Sequence, residues 1–149
     1  MEQVYIIVFV DFSVFNGLRD RCFEKTTKNS QNLHSAHVMI FLIPQNLNSY
    51  AYGEQKDYFD DEHTVGWVRQ GDTDHNNSAI AVVLNNSEVG TKQMEMGTAM
   101  SGVAFYDALG NFIEPVVIDS NGYGIFPVAG NSVSVWVQKK ALEDLTVNE

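Results

Sequence analysis

The densest group of chemically capable side chains is Asp57, Asp60, Asp61 and Glu62, followed at once by His63. Two kinds of chemistry use such groups. A hard cation such as Ca²⁺ takes about six to eight oxygen ligands, and a run of carboxylates supplies several. Glycoside hydrolysis needs two carboxyl groups flanking one bond, about 5–5.5 Å apart when configuration is retained. Adjacent acids on a loop are more commonly solvated surface charge, so Asp60 and Glu62 are not read as a dyad and no catalytic residue is assigned. His34, His37 and His75 are isolated, and Cys22 is the only cysteine. A zinc site needs further ligands at suitable spacing, so no metal site is assigned either. Trp67, Tyr106, Tyr123 and Trp136 are able to stack on sugar rings, yet aromatics on alternating strands more often pack in a core or an interface. A nucleophile elbow, a P-loop and a dinucleotide fingerprint are all absent. The Gly122-Tyr123-Gly124 pair falls inside a hairpin pattern, not between a strand and a helix.

The elements that must position these residues have limited room. A chain of 149 residues holds one ordinary domain. A (β/α)₈ barrel takes roughly 250 residues. The net charge of −10 argues against nucleic acid or an anionic membrane as partner. That charge is uneven: residues 1–49 carry four acidic and four basic side chains, residues 50–149 fifteen acidic and five basic. Of the 11 glycines, only Gly17 precedes residue 50. A single cysteine rules out an intrachain disulfide framework. Residues 4–10 (VYIIVFV) follow Glu2 without a basic region and are too short to span a bilayer. The expected location is the cytoplasm.

Composition and pattern both change near residue 50. Before it, residues 4–10 and 38–43 (VMIFLI) are apolar, β-branched runs that read as buried strands. Beyond it come short strands separated by turn signals, the pattern of a β-sandwich. In residues 64–69, Val65 and Trp67 face one way, Thr64 and Gly66 the other. Residues 78–84 (SAIAVVL) read as a central strand covered on both sides. Met94 and Met96 share a face opposite Gln93 and Glu95, and Val133, Val135 and Val137 share another. The Asn121-Gly122 pair signals a two-residue hairpin with both centres at φ > 0, joining residues 115–119 to residues 123–128. A strand near residues 51–58 brings the total to about eight, and residues 139–149 read as a short helix or frayed tail.

The strings YAYGEQKDYFDDEHTVGWVRQGD (50–72), TKQMEM (91–96), EPVVID (114–119), NGYGIF (121–126) and GNSVSVWVQ (130–138) carry a resemblance. In that order and spacing they resemble the C-terminal β-domain of bacterial α-amylases, glycoside hydrolases built on a (β/α)₈ barrel. The resemblance covers residues 50–138 and implies an all-β, antiparallel Greek-key sandwich. Residues 1–49 have no counterpart in it and are read as a divergent, fused or frameshifted segment, poorly ordered. The parent activity so implied is endo-hydrolysis of α-1,4-glucosidic bonds in starch or glycogen. The barrel motifs that perform it are not in this chain, which is expected to be inactive alone. The implied partner is the barrel itself, against which the domain buries an apolar face; without the barrel that face is expected to lie bare and promote association. Some secreted relatives hold a calcium between barrel and β-domain through a His-Asp pair and a further Asp. The matching positions here are Glu62, His63 and Asn86, and no cofactor is assigned to this chain. The competing reading is a free-standing starch-binding module with α-glucan as ligand.

Overall fold

The computed structural model describes the backbone of residues 5–11 and 38–147, and the side chains of Leu47 and of residues 49–145. The two apolar runs form β1 (Tyr5–Asp11) and β2 (Val38–Pro44), paired antiparallel from Tyr5 opposite Pro44 to Asp11 opposite Val38. Whether they are buried lies outside the described side chains. A 3₁₀ turn over Gln45–Tyr50 follows. The chain then lays down eight strands: β3 (Gln55–Tyr58), β4 (Thr64–Arg69), β5 (Ile80–Asn85), β6 (Gly90–Glu95), β7 (Ala104–Asp107), β8 (Val116–Val117), β9 (Tyr123–Val128) and β10 (Ser132–Gln138). Helix α1 (Lys139–Val147) begins at the residue after β10. Among the described residues no helix is long and apolar enough to cross a membrane.

Six strands form one antiparallel sheet in the order β3-β4-β5-β10-β7-β8, and β6 with β9 forms a second. The second sheet packs over the first through contacts of β6 with β4 and of β9 with β5 and β10. The result is the all-β sandwich expected from residue 50 onward. Its interior holds Val68, Ala81, Val83, Met94, Met96, Phe105, Ile118, Phe126, Val128 and Trp136, all buried. Small Ala81 of β5 lies beside large Trp136 of β10 in the same sheet, and β9 packs over both strands. Trp136 is the hub: Phe126 meets it edge-on at 5.9 Å between ring centroids, and Phe112 stacks at 5.9 Å. Gly66 of β4 belongs to the same packing, because a Cβ there would lie 2.7 Å from the Met94 sulfur.

The large sheet is apolar on its other face as well. All six residues of β5 are buried. Ile80, Val82 and Leu84 join Val65, Val133, Val135 and Val137 in a second core on the outer face. The layer above it consists of Leu47 and Tyr50 of the 3₁₀ turn, Ala51, and Ala141, Leu142 and Leu145 of α1. The turn before β3 and helix α1 thus cover this face. The bare apolar side chains lie elsewhere, at Ile113, Val117 and Ile125 among others.

The expected hairpin through Asn121-Gly122 is also corrected. β8 pairs with β7 at the edge of the large sheet, and β9 pairs with β6. Only Gly122 has positive φ, at 88°. The Asp119 carboxylate accepts hydrogen bonds from Asn121 N (2.8 Å) and Tyr123 N (2.9 Å), and Gly122 N donates to the Asp119 carbonyl (3.1 Å). That makes a three-residue loop with glycine in the bulge position. Gly122 is needed twice over, because a Cβ there would lie 2.5 Å from the Gly97 carbonyl carbon.

The β3–β4 loop is shaped by Asp61, whose carboxylate accepts the His63 N–H at 2.7 Å and the Thr64 N–H at 2.8 Å. These backbone donors, His63 first, hold the Asp61 carboxyl below its ordinary range. A depressed folded-state pKa adds stability above the unfolded value of about 3.9, and that stability fades as pH falls through the folded value. Urea unfolding of Asp61→Asn followed down to acid pH should therefore show a shallower loss than wild type, with lower stability at pH 7. In the core, Trp136→Ala should cost about 3–5 kcal/mol, read as a lower urea midpoint at unchanged slope. A loss under about 1 kcal/mol would show that Trp136 is not the packing hub.

Candidate functional site

The acidic run is split by the fold rather than gathered. Asp57 lies on β3 and accepts a hydrogen bond from Gln55 Nε2 at 2.8 Å. Asp60 forms an ion pair with the ammonium of Lys92, which is only 8 % exposed and also donates to the Thr64 carbonyl at 3.0 Å. Lys92, first among the causes, holds the Asp60 carboxyl below its usual range. Glu62 leans on the His63 ring (Oε1 to Nε2, 3.4 Å), and both are exposed. A general acid in glycoside cleavage needs the opposite shift, a carboxyl kept protonated near neutral pH. Asp60 and Asp61 are both pushed the wrong way for it.

Glu62, His63 and Asn86 do come together. His63 Nδ1 lies 3.0 Å from Asn86 Oδ1, and Asn86 N donates to the His63 carbonyl at 3.1 Å. The β3–β4 and β5–β6 loops are thus tied side by side at one end of the sandwich. The donor set does not fit calcium. That ion takes about six to eight oxygens at roughly 2.3–2.6 Å, whereas here Asn86 Oδ1 meets an imidazole nitrogen, Asp60 an ammonium and Asp61 two backbone N–H groups. Among the described residues no group of three or more His, Cys, Asp or Glu is placed to hold a metal.

The four aromatics are dispersed. Trp136 is fully buried in the inner core and unavailable to any ligand. Trp67 packs against the outer core on β4, and Tyr106 is half-buried on β7 opposite Val137. Tyr123 alone borders a groove, an open recess of about 400 Å³ lined by Gln93, Val117, Ile125 and Pro127 among others. Its hydroxyl donates to Glu95 Oε2 at 3.3 Å, and Lys56 Nζ holds the same oxygen at 2.9 Å. This fixes one aromatic ring beside exposed aliphatic side chains, a surface suited to an apolar or sugar face. His75 is stacked on Tyr52, with ring centroids 3.6 Å apart, and bonded to Asp72 at 2.8 Å. His34, His37 and Cys22 lie outside the described residues.

Sequence reasoning passed over Lys92. The signal was present, since alternation on β6 puts Lys92 on the face of Met94 and Met96. It also passed over Glu95, which joins β3, β6 and β9 through Lys56, Tyr123 and the Tyr58 hydroxyl, which accepts from Glu95 N at 2.8 Å.

Comparison with known proteins gives this geometry a context. The family described as Alpha-amylase C-terminal matches residues 80–137. The Alpha-amylase of Bacillus licheniformis is 47% identical over 90 residues, covering 60% of this chain and 18% of that protein. The Glucan 1,4-alpha-maltohexaosidase of Bacillus sp. (strain 707) is 42% identical over 90 residues, covering 60% and 17%. The Cytoplasmic alpha-amylase of Escherichia coli (strain K12) is 36% identical over 93 residues, covering 62% and 18%. The chain therefore spans under a fifth of the length of these relatives. The residues matched by the family model run from the first residue of β5 to the last but one of β10.

Proposed function

We propose that this chain supplies the C-terminal, non-catalytic β-sandwich of an α-amylase-type glycoside hydrolase and acts by stabilising the catalytic domain. The observation that carries this reading is the coincidence of the family match over residues 80–137 with a sandwich fold. Every shifted carboxyl in the 57–63 run is held ionised by a lysine or by backbone N–H groups. The parent reaction would be hydrolysis of internal α-1,4-glucosidic bonds, performed by residues of a (β/α)₈ barrel. A calcium between barrel and sandwich is not part of the reading, because Glu62, His63 and Asn86 are engaged with one another. A starch-binding role is the second reading, and the groove beside Tyr123 favours it: one fixed ring and exposed aliphatic neighbours line an open recess that also carries Glu114 and Asp119.

Two measurements test the proposal. The full chain incubated with soluble starch should release reducing ends no faster than buffer, and turnover above that blank would refute the non-catalytic assignment. A chimera in which residues 50–138 replace the matching stretch of the Bacillus licheniformis α-amylase should hydrolyse starch and outlast, on heating, the same enzyme with the stretch deleted. An inactive chimera, or one no more heat-resistant than the deletion, would sink the stabilising role. Starch-gel electrophoresis of wild type and Tyr123→Ala addresses the second reading: retardation lost in the variant would establish binding at the groove.

A further inference from the structure

The Asn121-Gly122 pair carries a chemistry that the sandwich itself does not use. In an Asn-Gly pair the glycine nitrogen is able to attack the asparagine side-chain carbonyl carbon, because no Cβ on glycine shields it. The new N–C bond closes a succinimide ring, the carboxamide C–N bond breaks, and ammonia leaves with the proton that the glycine nitrogen held. Water then opens the ring at either carbonyl, leaving aspartate or, through the side-chain carbon, isoaspartate. The reaction needs a nitrogen free to turn toward Cγ and to give up its proton. Here Asn121 is exposed, but Gly122, which holds the attacking atom, is buried. Its N–H donates to the Asp119 carbonyl at 3.1 Å, and its carbonyl accepts from Met96 N at 2.7 Å. The Asp119 carboxylate pins the N–H groups on either side, those of Asn121 and Tyr123. Gly122 also presses on backbone: a Cβ there would lie 2.5 Å from the Gly97 carbonyl carbon and 2.7 Å from Thr98 N.

We propose that Asn121-Gly122 is a deamidation site gated by this loop: inert while the loop is closed, converted when it opens, and barred from reclosing once isoaspartyl. The gate follows from the bonds just named, since the attacking nitrogen is freed only when its bond to Asp119 breaks. The bar follows from covalent geometry. An isoaspartyl linkage routes the main chain through the Asn121 side-chain carbon and adds a backbone atom between Asp119 and Tyr123. β9 begins at Tyr123, opposite Glu95 of β6. The extra length therefore has to be taken up at Gly122, where there is no room even for a Cβ. The ordinary aspartyl product keeps the main chain and recloses. A chain that has opened here is thereby marked, without any enzyme or partner.

Peptide mapping of the full chain tests this at mildly alkaline pH, where the amide nitrogen loses its proton more readily. Mapping separates Asn121 from the second Asn-Gly pair, Asn16-Gly17, which lies outside the described residues. Conversion at Asn121 should run about tenfold or more slowly in the folded chain than in urea, because it proceeds only through local opening. Equal rates overturn the gate. Asp119→Ala, checked for a folded far-ultraviolet dichroism spectrum, should raise the folded-state rate several-fold, and an unchanged rate overturns the role given to the Asp119 carboxylate. If that variant does not fold, the wild-type comparison decides alone. The isoaspartyl and aspartyl chains, separated in urea and diluted back, test the bar by hydrogen exchange at the Met96 N–H. Protection in the aspartyl chain and its loss in the isoaspartyl chain are expected. Equal exchange in the two chains, protected or not, overturns the bar.

Discussion

The central trio β4-β5-β10 is apolar above and below, and the architecture follows from that one constraint. Alternation in an ordinary sandwich strand would give each strand a wet side. Here Ile80–Asn85 has none, and five consecutive residues of β10 are buried. Apolar area removed from water contributes about 25 cal/mol per Å², so leaving either face open would forfeit a large share of a small domain's stability. The inner face is met by β6 and β9, with Phe126 and Trp136 filling the interval. The outer face takes a helix and a turn.

Close packing of two layers demands places where backbone meets backbone. Gly66 lies beneath Met94, and Gly122 against Gly97, each with no space for a Cβ. Turns between strands are held by carboxylates rather than by glycine alone. Asp107, itself buried, accepts from the N–H groups of Leu109, Asn111 and Phe112. Asp119 and Asp61 do the same in their loops. Part of the acidic excess beyond residue 50 is therefore structural, spent on orphan N–H groups where chain direction changes.

The sandwich was largely legible because burial leaves a trace in periodicity. Val65 and Trp67 share the outer face as alternation required, and Met94 and Met96 point inward. The continuous run of β5 announced cover on both sides. The β8–β9 connection was misread because Asn-Gly is a signal for one turn type, while the Asp119 side chain, two residues earlier, selected another. Partner choice was invisible too, since nothing local in Tyr123–Val128 says that its ladder is with β6. The site was legible only in part. Resemblance singled out Glu62, His63 and Asn86, but the direct contact of His63 with Asn86 is a fact of three dimensions. The aromatics illustrate the same limit: Trp67 and Trp136 look alike in sequence and lie on opposite faces of one sheet.

Lys92 has a meaning beyond its ion pair. β6 and β9 form a ribbon of only two strands, and such ribbons slide easily because neighbouring registers offer almost the same ladder. A one-step slip would turn every side chain of β6 over, expelling the ammonium and drawing Gln93 into the oil. With its head clasped by Asp60 and the Thr64 carbonyl in the opposite layer, Lys92 works as a detent: it lets the ribbon click into a single alignment, because the slipped one gives up that clasp and buries an amide in its place.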